Sequence, residues 1–125
     1  MNREQIINNI LLEATGYLEA AQEEWCRPEE DVVSYMVCLG AYKSVEKYLS
    51  AYLFKRGHER SEMEPLEIRL KACCSQSPAF NDLNLEPLFY GNAHHTDTAW
   101  VDFETMKVYL NLAKQTRALV EKEIK

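Results

Sequence analysis

Little in this sequence interrupts a helix. Its 125 residues include only four glycines and four prolines, and no apolar run approaches the ~20 residues that a membrane-spanning helix needs. With 46% apolar and 27% charged residues the composition suits a folded globular chain and excludes the collagen-like and disordered classes. The four cysteines, Cys26, Cys38, Cys73 and Cys74, form neither a CxxC pair nor a zinc-finger spacing. They read as reduced core or surface thiols, so neither a disulfide framework nor a metal is expected of them. The opening residues Asn2, Arg3, Glu4 and Gln5 lead into a mixed amphipathic stretch where a signal peptide would be continuously apolar. The expected location is therefore the cytoplasm.

Several catalytic signatures are also missing. There is no GxxxxGK[ST] to cradle phosphates, and there is no GxGxxG, HExxH or GxSxG. A di-iron bundle in its usual form needs Glu-x-x-His, which puts both ligands on one helix face. None of His58, His94 and His95 has a glutamate three residues before it. No cofactor is expected. Asp and Glu outnumber Lys and Arg 20 to 14, and a formal charge of −6 repels a phosphate backbone, which argues against broad non-specific nucleic-acid binding. The clearest local basic group is Lys55, Arg56, His58 and Arg60, a candidate ligand-binding set whose plainer reading is a solvated helix end and turn.

What is present is helical periodicity. From Arg3 to about Trp25 the apolar residues Ile6, Ile7, Ile10, Leu11, Ala14, Tyr17, Leu18, Ala21 and Trp25 fall on the steps of three and four that line one helix face, and Asn2 with Gln5 resembles a capping box. Pro28 favours a break and then the first turn of a second helix, expected over Glu29 to Arg56 and closed by Gly57. At ~1.5 Å per residue that helix would reach roughly 40 Å, long enough to be the spine of the domain. Gly40 in its middle costs about 1 kcal/mol relative to alanine, which suggests close approach of another helix; the alternative is plain tolerance of the glycine. Pro65, Pro78, Pro87 and Gly91 divide the next segment, where short helices are expected from about Pro65 to Cys74 and from Asn81 to Phe89. Asp102 is a good N-cap for a last helix running to the C-terminus. The pattern predicts a single all-α domain over residues 1–125, an up-and-down bundle of three long helices with one or two short ones.

The loop Asn92-Ala93-His94-His95-Thr96-Asp97 places two imidazoles and a carboxylate within four residues. Histidine titrates near neutrality, so His94, His95 and Asp97 are the candidate catalytic residues; the alternative is an exposed polar loop. Lys43, Glu46 and Lys47 on the second helix read as a solvated face, and Trp100 as an anchor for the loop beside it.

The stretch Ala41-Tyr42-Lys43-Ser44-Val45-Glu46-Lys47-Tyr48-Leu49-Ser50-Ala51-Tyr52-Leu53, followed by Arg56-Gly57, resembles the central helix of HEPN domains. There a small residue precedes a Glu-Lys pair, an apolar-x-Ala step follows, and the helix ends in glycine. The long first helix, the short helix at Pro65-Leu66 and the last helix introduced by Trp100-Val101-Asp102-Phe103-Glu104 are similar to that family in order and length.

The resemblance implies a helical bundle that forms homodimers with a site between the copies. Many HEPN proteins are ribonucleases, often the toxins of toxin–antitoxin pairs, whose motif is an arginine followed four to six residues later by a histidine near the start of the last long helix. This sequence departs from that motif. Leu88 to Val101 contains His94 and His95 but no arginine, and neither Arg56 nor Arg60 has a histidine at that spacing. Without the cation nothing in the motif polarises a scissile phosphate. Other HEPN proteins accompany a small nucleotidyltransferase, or bind nucleotides or partner proteins without cutting RNA. The function expected from the resemblance is thus a non-catalytic, homodimeric nucleotide- or partner-binding module with a nucleotidyltransferase-type partner. The alternatives are a diverged ribonuclease acting through His94 and His95 on an RNA ligand, and a structural helical adaptor.

Overall fold

In the computed structural model, which describes residues 1–95 and 101–125, the chain enters its first helix through the capping box that the sequence suggests. The Asn2 side chain accepts from the Gln5 backbone N–H at 2.8 Å, and the Gln5 side chain accepts from the Asn2 N–H at 2.9 Å. Two of the N–H groups that a helix start leaves without partners are thereby satisfied. Helix α1 spans Arg3–Trp25 and buries Ile7, Ala14, Leu18 and Ala21.

The second helix starts later than the periodicity predicts. Pro28 is extended, Glu29–Asp31 form an exposed 3-10 turn, and helix α2 spans Ser34–Lys55. The cause is tertiary as well as local. Val32 and Val33 are β-branched and extended, and the Glu24 carboxylate of α1 accepts the Val33 N–H at 2.9 Å, which holds that residue outside the helix. At its other end α2 closes on Gly57, at φ +93°. The Gly57 N–H reaches the Phe54 carbonyl at 3.0 Å and the His58 N–H reaches the Leu53 carbonyl at 2.8 Å, the paired bonds of a Schellman cap.

Helices α1 and α2 form an antiparallel hairpin. Thr15 and Tyr48 share a hydroxyl–hydroxyl bond of 2.7 Å, Lys47 pairs with Glu13 at 3.1 Å, and Arg3 near the start of α1 donates to the Phe54 carbonyl near the end of α2. At Gly40 the backbone of α2 comes close to that of α1. A β-carbon there would stand 3.0 Å from the Tyr17 carbonyl oxygen and 3.0 Å from the Ala21 β-carbon. The close approach that an otherwise costly mid-helix glycine suggested is therefore present.

After a 3-10 turn at Ser61–Met63, helix α3 spans Leu66–Gln76, slightly longer than expected, with Pro65 as its N-cap. The expected helix over Asn81 to Phe89 is instead a 3-10 turn at Pro78–Asp82 and a short helix α4 at Glu86–Tyr90. Between them the chain stays irregular as Leu83 and Leu85 enter the core, and Pro87 suits only the start of α4. Helix α5 spans Phe103–Glu123, N-capped by Asp102, whose carboxylate accepts from the Thr105 N–H at 2.8 Å.

The described residues are thus all-helical, with five α-helices, three 3-10 turns and no strand. None of these helices is long and apolar enough to cross a membrane. Helix α2 is the spine, packing on α1, α3 and α5, and it contributes Val37, Cys38, Ala41, Val45, Tyr48, Leu49, Tyr52 and Leu53 to one core cluster. The start of α5 lies beside the start of α2, around a cavity shared by Val32, Ser34, Val101 and Phe103, and further along Arg117 and Glu121 act on Tyr48. Helices α2 and α5 therefore run in the same sense, so the three long helices do not strictly alternate. The segment between α2 and α5, with its short helices, brings the chain back to the end where α2 began.

Candidate functional site

Gly91 ends α4 and lets the following loop turn inward. A β-carbon on it would collide with the Pro87 carbonyl oxygen and lie 2.9 Å from the Tyr109 hydroxyl. Ala93 and His94 are consequently buried, His94 with only 5% of its surface exposed. The His94 ring stacks on Tyr42 of α2, centroids 3.7 Å apart and planes 11° from parallel. Its Nδ1 is 2.8 Å from the hydroxyl of Tyr109 on α5. One imidazole thus joins the loop to both spine helices.

The environment keeps this group uncharged. Burial, and then the neighbouring His95, pushes the His94 pKa down to about 4. Burial drives the Tyr109 phenol well above its ordinary range, with Cys38 and Tyr42 acting in the same direction. The buried Cys38 thiol is pushed up to about 12 by burial and then by the charge of Asp102, so it is an inert thiol rather than a nucleophile.

One turn along α2 from Tyr42 lies Glu46, whose carboxyl is raised by burial, with Arg69 of α3 the strongest opposing influence. Arg69 is itself buried. Its Nε donates to the Glu64 carbonyl at 2.9 Å, Nη2 to the Glu62 carbonyl at 2.8 Å and Nη1 to the Glu46 carbonyl at 3.3 Å, and the Glu46 carboxylate stands 3.6 Å from Nη1. The guanidinium pins α3 and the turn before it to α2. Lys43, Glu46 and Lys47 are accordingly not the solvated face that the sequence suggested: Lys43 lies over the Tyr17 ring, Lys47 pairs with Glu13, and all three are partly covered.

The other candidates are separated. His95 is exposed, its ring centroid 4.0 Å from that of His94, while Asp97 and Trp100 lie outside the described residues. Each member of the basic set except Arg60 meets a different partner: Lys55 pairs with Glu4 at 3.9 Å, Arg56 lies over the Tyr52 ring and His58 bonds Glu64 at 2.7 Å. Arg60 caps the 3-10 turn at Ser61–Met63. These charges do not converge on one point. Among the described residues no three His, Cys, Asp or Glu side chains gather as a metal site would require.

Tyr42, Tyr109 and Arg69 are the members of this network that the sequence did not single out. Both tyrosines occupy core-facing positions of periodic stretches and read simply as packing. Arg69 sits in a short helix with no spacing signal. Compared with family models, with curated proteins and with solved structures, the chain matches none of them.

Proposed function

We propose that this chain is a HEPN-type helical module that pairs with a second copy and binds a nucleotide or a partner protein without cutting RNA. The resemblance over Ala41 to Gly57 motivates the family reading, and a nucleotidyltransferase is the partner it implies. The all-helical architecture, with long helices first, second and last and short ones between, is consistent with it.

The observation that carries the non-catalytic part is the state of His94. A general acid or base works best with a pKa near the operating pH and a ring nitrogen free to reach substrate. His94 is buried, stacked on Tyr42, bonded through Nδ1 to Tyr109 and neutral down to about pH 4. At neutral pH it has no proton to give as an imidazolium, and it is a weak base. The side chain serves packing.

The test is an RNA-cleavage assay on the purified protein beside its His94→Ala and His95→Ala variants. The expected result is no cleavage above the buffer blank in any of the three. Cleavage by the wild type that either substitution abolishes would replace this reading with that of a diverged ribonuclease.

A further inference from the structure

At the end of the molecule where α1 stops and α2 and α5 start lies a cavity of about 770 Å³. One wall is aromatic. The rings of Trp25 and Phe103 lie 4.5 Å apart, tilted by 35°, and Val32 and Met106 add apolar surface. Phe103 stands at the first position of α5 and is 58% exposed, an aromatic ring held at the mouth of a cavity and contributing little to the core.

The charge around this wall is negative. Glu29 and Asp102 line the cavity, and among the described residues Glu29 has no ion-pair partner. The start of α5 would by itself attract an anion, and Arg27 also lines the cavity. Both are offset. Asp102 caps the helix start and Glu104 follows in its first turn, while Arg27 lies 3.3 Å from the Glu24 carboxylate. An anionic ligand would meet carboxylates, whereas a cation would meet an aromatic wall and the carboxylate of Glu29.

We propose that this cavity binds an organic cation, a substituted ammonium or guanidinium group on an apolar stem, with the Trp25–Phe103 wall against the cation and Glu29 as counter-charge. Aromatic rings attract such cations through their quadrupole, and the stem gains from burial on the apolar surface. The ligand is either a free amine or a basic side chain presented by another polypeptide. The inference does not rest on the HEPN reading: Asp102 and Phe103 belong to the segment that introduces the last helix in that resemblance, but the cavity is argued from its own lining and charge.

The test is isothermal titration calorimetry of the full chain at low ionic strength with three probes. These are benzyltrimethylammonium, benzyl alcohol as the same ring without the charge, and a blocked phenylalanyl-arginine dipeptide. Benzyltrimethylammonium should bind saturably and benzyl alcohol several-fold more weakly. Phe103→Leu, which keeps apolar bulk but removes the π-face, and Glu29→Gln should each weaken the cation by roughly 2- to 5-fold. Both positions are exposed, so the variants should keep the wild-type helical circular dichroism. A dipeptide that binds more tightly than benzyltrimethylammonium identifies a polypeptide source, and the reverse order identifies a free amine. Equal binding of benzyl alcohol, no saturable binding of either cation, or unchanged affinity in both variants would overturn the proposal.

Discussion

His94 takes no proton in the folded chain until the pH approaches about 4, whereas an unfolded imidazole titrates near 6.5. Between these values the unfolded state binds more protons than the folded state, so stability rises with pH across the window. The contribution is fully present above about pH 6.5 and is lost as the pH falls toward 4. Its size is of order 3 kcal/mol for a shift of this extent. Urea midpoints at pH 7 and pH 4.5 should therefore differ more in the wild type than in His94→Gln, while His95→Gln, which removes only the smaller influence, should keep most of the wild-type difference. Equal pH dependence in wild type and His94→Gln would show that the imidazole is not held neutral. Two tyrosines test the same packing with opposite signs. Tyr109→Phe leaves Nδ1 of a buried ring without its partner and should cost about 1–3 kcal/mol in chemical denaturation. The Tyr52 hydroxyl is buried and meets no hydrogen-bond partner among the described residues, so Tyr52→Phe should be neutral or stabilising by up to ~1 kcal/mol. At this scale the sequence was least informative. It marked His94 by its neighbours in the chain, but the residues that decide its chemistry come from α2 and α5, and no local spacing encodes them.

Helices carry their own signals, and most were readable. Asn2 with Gln5, Asp102 and Gly57 act within one turn of their own position, so their caps follow from local chemistry. The start of α2 was not readable because the Glu24 carboxylate that stops it comes from α1. Two glycines in helix interiors make the contrast between local and tertiary effects measurable. Gly16 has nothing within 4 Å of where a β-carbon would sit, so Gly16→Ala should gain about 0.5–1 kcal/mol from helix propensity alone. Gly40→Ala gains the same propensity but presses on the Tyr17 backbone carbonyl, which has no rotamer to yield, and should lose a net ~1–2 kcal/mol. The urea midpoint should move up for the first variant and down for the second. Arg69→Met should be worse than either. It strips the Glu62 and Glu64 carbonyls of a charged donor and leaves Glu46 without its guanidinium, a loss of about 3 kcal/mol or more.

The whole molecule is organised around α2, which the length of its periodic stretch already marked as the spine. Its direction relative to α5 was not legible, since a long segment with short helices returns to either end of a bundle equally well. The basic group Lys55, Arg56, His58 and Arg60 looked like one patch because the residues are close in sequence. In three dimensions Lys55, Arg56 and His58 turn to three different partners, Glu4, Tyr52 and Glu64. Under the proposed HEPN-type reading, the chain pairs with a second copy and binds a nucleotide or a partner. Native intact-mass spectrometry of the protein purified from its own source tests this most directly. The account predicts a mass of twice 14.5 kDa, with a bound nucleotide or a second, transferase-sized chain adding to it. A bare 14.5 kDa monomer would contradict it.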